Sequence, residues 1–96
     1  MHTMTTEIET EAASQNLQKL CRHWSHKFNV AFTAREGRIT FPGERFCEML
    51  AEGKSLFLRV DGPSLEAARE IADVVMRHLE RFAFRETLAD PVWVEN

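Results

Sequence analysis

The spacing of apolar residues changes along the chain and divides it into helices and strands. From about Glu11 to His26, Leu17, Leu20, Cys21 and Trp24 recur at i, i+3, i+4 and i+7, one stripe of an amphipathic helix. Thr10 precedes it and belongs to the residue types that cap the free amides of a helix start; Glu7 to Thr10 reads as a short strand. The period then drops to two: Phe28, Val30 and Phe32 oppose Asn29, Ala31 and Thr33, and Ile39 and Phe41 oppose Arg38 and Thr40 after a turn predicted at Glu36-Gly37. Pro42-Gly43-Glu44-Arg45 turns the chain again, and Cys47, Met49 and Ala51 alternate with Phe46, Glu48 and Leu50. Past Glu52-Gly53-Lys54, Leu56, Leu58 and Val60 are opposed by Phe57, Arg59 and Asp61. These four runs form a meander.

Asp61-Gly62-Pro63 breaks the last strand, and Ser64 caps a second helix with Glu66 in its first turn, where a negative charge suits the helix dipole. Ala68, Ile71, Ala72, Val75, Leu79 and Phe82 form the buried stripe of this helix, with Glu66, Glu70, Asp73, Arg77 and Arg81 outside. The tail carries Pro91 and the alternation Val92-Trp93-Val94, compatible with a short edge strand or a frayed end. The predicted order is β-α-β-β-β-β-α: an α+β domain over residues 7–94 whose antiparallel sheet has two helices on one face, with flexible ends at 1–6 and 95–96. TATA-binding-protein-like folds share this order, and order alone carries no function.

Composition narrows the classes. A chain of 96 residues holds one core, and in so small a domain dimerisation is a natural aid to stability, so a homodimer is an expected partner arrangement. A net charge of −3 argues against nucleic acid as a partner, because phosphate binding needs a basic footprint. The start of the chain has neither the basic segment nor the apolar run of a secretory signal, and no stretch has the ~18 apolar residues of a membrane span. A cytoplasmic protein with no membrane partner is expected. Cys21 and Cys47 then read as free thiols packed on the apolar faces of their elements.

Ligand-type side chains crowd into two stretches, Cys21 to Phe28 and His78 to Glu86. At about 100° per residue, Cys21 lies about 160° from His23 and about 140° from His26, so a regular helix cannot bring these three to one ion. His23 and His26, three apart, share a helix face and are the candidate metal ligands, with His78 or Glu80 as a third donor. Arg22, Arg81 and Arg85, with Lys19 and Arg77, supply positive charge that would attract an anion. The plainer expectations are that His78 is a boundary residue with one ring nitrogen bonded to backbone or carboxylate, and that the arginines form solvated, paired faces. No Ser-His-Asp or Cys-His arrangement, phosphate-cradling glycine loop or HExxH motif points to an enzyme.

Three segments, LCRHWSHKF from Leu20 to Phe28, GRITFP from Gly37 to Pro42 and HLERFAFRE from His78 to Glu86, resemble the signatures of DUF2218, a small bacterial family of unknown function. The resemblance carries no catalytic residues or cofactor, and it associates the chain with siderophore and iron-uptake contexts. With the histidines and arginines, the first expectation is a non-catalytic accessory protein that binds an iron complex, haem or another small anionic ligand between the helices and the sheet. On the residues themselves, the cleft for it would be lined by His23, His26, His78, Arg22, Arg81 and Arg85. The alternative is a structural or protein-interaction module, a homodimer, whose histidines and aromatics only pack.

Overall fold

Strand pairing turns the period-two runs into one antiparallel sheet. The computed structural model describes residues 1–83 and 85–96. Its elements are β1 (His2–Glu9), α1 (Ala13–Trp24), β2 (Asn29–Phe32), β3 (Glu36–Phe41), β4 (Arg45–Glu52), β5 (Ser55–Gly62), α2 (Leu65–Phe82) and β6 (Val94–Glu95). The sheet order is β2-β3-β4-β5-β1-β6, so the meander runs in sequence and α1 carries the chain from β1, beside β5, across to β2 at the far edge. The α+β order expected from the sequence is present, completed by the two-residue strand β6 on the outer side of β1.

Register decides which residues the helices cover. Ile39 sits opposite Cys47, Cys47 opposite Val60, Met49 opposite Leu58 and Met4 opposite Val60, so these side chains share one face. All are buried, together with Leu17, Leu20, Cys21 and Trp24 of α1 and Ile71, Val75, Met76 and Leu79 of α2. Both helices therefore pack on the same side of the sheet. Two glycines permit the approach. A Cβ on Gly37 would stand 2.8 Å from Cys21 Sγ, and one on Gly62 would stand 2.8 Å from the Ala68 nitrogen. Gly37 thus belongs inside β3, and the turn predicted at Glu36-Gly37 lies earlier, closed by the Thr33 N–H donating to Glu36 O at 2.8 Å.

Tertiary contacts move three other boundaries. β1 begins at His2, well before Glu7, because its full length pairs with β5 from His2↔Gly62 to Glu9↔Ser55. The helix expected over residues 11–26 covers only Ala13–Trp24, and no side chain caps it at Ala12. Thr10, two residues earlier, serves the helix start only loosely, its hydroxyl accepting from the Ala12 N–H at 3.5 Å. Its hydroxyl donates to Glu86 Oε2 at 2.9 Å and accepts from Asn16 Nδ2 at 3.1 Å, while the Glu11 N–H donates to Glu86 Oε1 at 3.3 Å. A carboxylate from beyond α2 thus serves the polar groups at the start of α1. Ser64 caps α2 as expected, accepting from the Ala67 N–H at 3.1 Å. Among the described residues no helix is long and apolar enough to cross a membrane.

Candidate functional site

The three sequence motifs meet at one cluster of rings. His23, Trp24 and Phe28 come from the end of α1 and the turn after it, Phe41 from β3, and His78 and Phe82 from the last turns of α2. Their ring centroids form a chain: Phe82–His23 at 5.6 Å, His23–His78 at 5.2 Å, His78–Trp24 at 4.7 Å, Trp24–Phe41 at 5.2 Å and Phe41–Phe28 at 4.9 Å. Trp24 and Phe41 are buried, His78, Phe28 and Phe82 half-buried, and His23 exposed, so the cluster grades from core to solvent. Phe82, expected in the centre of the apolar stripe, stands at its border. His78 Nδ1 lies 2.7 Å from Val74 O one turn earlier. A carbonyl only accepts, so Nδ1 is the donor and Nε2 is the ring nitrogen left for another partner.

The remaining site residues are dispersed. The last turn of α1 tightens, with the Ser25 N–H donating to Arg22 O at 3.3 Å and the Lys27 N–H to Trp24 O at 3.0 Å, which leaves His26 exposed beyond the helix. Among the described residues the ring contacts join His23 to His78 and do not include His26. Arg22 is exposed and donates to Gln18 Oε1 at 3.1 Å on its own helix. Arg81 is exposed in the last turn of α2, and Arg85 is exposed just beyond it. Phe84, the remaining ring of the third motif, lies outside the described residues. Among the described residues no three His, Cys, Asp or Glu side chains are grouped to hold a metal ion.

The space between helices and sheet is filled by the core. A large concavity lies on the opposite, open face of the sheet: a groove of about 870 Å³ reaching from Phe32 and Arg38 across Leu50 and Phe57 to Val94. Its floor follows the strand register. One row across the sheet reads Ala31, Arg38, Glu48, Arg59, Thr5, Val94, and the next reads Glu36, Leu50, Phe57, Glu7. Arg38 Nη1 is 3.7 Å from Glu48 Oε2 and its guanidinium lies 4.8 Å from the Phe46 ring centroid. That ion pair is too long for a hydrogen bond, so the N–H groups of Arg38 remain available to a ligand. Arg59 is held differently, donating from Nε to Asp61 Oδ2 at 3.3 Å, and Asp61 also accepts from the Thr3 hydroxyl.

Sequence reading missed this face, although it left a signal. Phe46, Leu50 and Phe57 are large apolar residues at the parity shared by Glu48, Arg59 and Asp61, where a solvated face calls for polar side chains. The thiols are not site residues. Both are buried and unbridged. Burial pushes Cys21 up to about 11 from its ordinary 9.0, and raises Cys47 further, with the Cys21, Glu48 and Asp61 groups adding to it. A thiol held protonated in this way is a poor nucleophile.

Comparisons with known proteins agree with this architecture. No curated protein matches the chain. Among solved structures it is similar to the NMR structure of PA4090 from Pseudomonas aeruginosa, with a TM-score of 0.83 and 33% identity over 98% of this chain and 96% of that one. The family model of the uncharacterised proteins conserved in bacteria named DUF2218 matches residues 5–93, which takes in all three motifs and the ring cluster they build, and the chain therefore belongs to that family.

Proposed function

We propose that this protein is a non-catalytic binding protein for a small, largely apolar organic anion, held on the open face of the sheet. The carrying observation is the groove of about 870 Å³, in the size range of small-molecule pockets, whose lining combines apolar side chains with the Arg38 guanidinium beside Glu48. Leu50, Phe57, Phe32 and Val94 offer contact area, and Arg38 offers the planar donor array that suits a carboxylate or similar group. Glu7, Glu36 and Glu48 along the same floor would repel a polyanion and select for a ligand with one localised charge. Haem, with two carboxylates, carries more charge than this floor favours and serves below as the more highly charged competitor.

The test is a fluorescence titration with 8-anilinonaphthalene-1-sulfonate, an apolar organic anion, followed by competition with haem. Saturable 1:1 binding to the folded chain is expected. Arg38→Gln and Phe57→Ser should each weaken it at least ~10-fold, the loss of about 1.4 kcal/mol for one anchoring contact. Equal binding by both variants would remove the groove from consideration. A ligand-free dimer that Phe57→Ser dissociates would assign the face to self-association instead.

A further inference from the structure

We propose that His23 and His78 form a two-imidazole site for a divalent transition-metal ion such as Zn2+, clamped across the ends of α1 and α2. The site lies outside the open-face groove and does not depend on that groove's ligand. The first support is distance. With Zn–N bonds of ~2.0–2.1 Å and a ring nitrogen about 1.1 Å from its centroid, each centroid lies about 3.2 Å from the ion; two such rings at a tetrahedral angle have centroids about 5.2 Å apart. The His23 and His78 centroids are 5.2 Å apart, with the ring planes inclined at 46°.

The second support is the tautomer. Val74 O accepts from His78 Nδ1 at 2.7 Å, so Nε2 is left as the donor, and a backbone carbonyl is one of the usual outer partners that orient metal-binding imidazoles. The third is fixation at small cost in order. The His78 ring is braced by Trp24 at 4.7 Å, and the His23 ring meets the edge of Phe82 at 5.6 Å. Half-burial of His78 and exposure of His23 give the ion a route in from solvent. The remaining coordination positions are open to water and, with Arg22 and Arg81 nearby in sequence, to anionic co-ligands. His26 takes no part in the ring contacts that hold His23 against His78 among the described residues.

The experiment titrates the chelator-stripped full-length chain with Zn2+, following heat of binding and thermal unfolding. One ion per chain is expected, with the melting temperature rising as Zn2+ is added because the ion binds only where both helices are in place. His23→Gln and His78→Gln should each lower the affinity at least ~10-fold, and His26→Gln should leave it unchanged. Should His78→Gln fail to fold for want of its contact with Trp24, the exposed His23→Gln still decides the matter. Imidazole 15N shifts in the loaded wild type should report Nε2 ligation of His78 with Nδ1 still protonated. No uptake, uptake that survives His23→Gln, or uptake lost in His26→Gln or His2→Gln would overturn the assignment.

Discussion

The two faces of the sheet are built from the same strands and differ in almost everything else. On the covered face Ile39, Cys47, Leu56, Leu58 and Val60 are at most 2% exposed, and α1 approaches so closely that Gly37 has no room for a Cβ beside Cys21. On the open face Phe57 remains 37% exposed, Arg38 pairs loosely with Glu48, and the groove is bounded by the exposed Val92 and Val94 of the tail. Alternation within a strand therefore separates stability from recognition. One parity carries the packing that holds a small domain together. The other is free to carry side chains chosen for what they bind.

Mutations on the two faces should accordingly differ in size, and the largest effect belongs to the covered side. Trp24→Ala removes a buried ring in contact with His78, Phe28 and Phe41, and should cost ~3–5 kcal/mol in denaturant unfolding. A variant that melts near the wild-type temperature would break the contrast between the faces.

The buried thiols should give the next effect, as a pH dependence. Folding raises the Cys21 pKa from 9.0 to about 11, so the folded chain holds that proton more tightly than the unfolded one. The stability this provides is intact below pH 9.0 and is lost as pH rises through about 11, on the order of 3 kcal/mol for a shift of this size, with Cys47 acting in the same direction. Replacing both cysteines by Ala should flatten the alkaline limb of stability against pH relative to wild type. A parallel limb in the variant would show that the thiols do not contribute.

Gly37→Ala sharpens the comparison locally, since its Cβ would meet Cys21 Sγ at 2.8 Å and Met49 Cε at 3.3 Å. Overpacking of this kind costs ~1–3 kcal/mol, and Cys21→Ala should recover part of it by vacating the space. Strict additivity in the double-mutant cycle would mean that the two positions do not touch. Smallest of all, Phe57→Ser on the open face should shift stability by no more than ~0.5 kcal/mol while weakening the anion titration. A loss of several kcal/mol there would make the open face part of the core.

Local chemistry made much of the architecture legible. The outward and inward sets of β3, β4 and β5 follow from strict alternation, and the α2 stripe from its 3.6-residue period with Ser64 as a true cap. Where a boundary depended on a distant partner, local reading stopped short. β1 extends to His2 because β5 offers eight partners to it, and the Thr10 hydroxyl, which accepts only distantly from the Ala12 N–H, is held more closely by Glu86 and Asn16. The site divides along the same line. His78 bonded to backbone and the burial of Cys21 were readable from position on a helix, whereas the pairing of His23 with His78 rather than His26 was not.

By itself, then, the sequence determined the periodicities, and with them the element types and the buried parity of each central strand, since these depend on residues within a few positions of one another. Only the tertiary structure decided which motif residues meet and where a ligand finds room. Helix ends from opposite halves of the chain, more than 50 residues apart at His23 and His78, are brought together by the packing of α1 and α2 on one sheet face. The concavity on the other face arises from strands ordered by α1 crossing the sheet and from a tail laid along β1, geometry that no local spacing encodes.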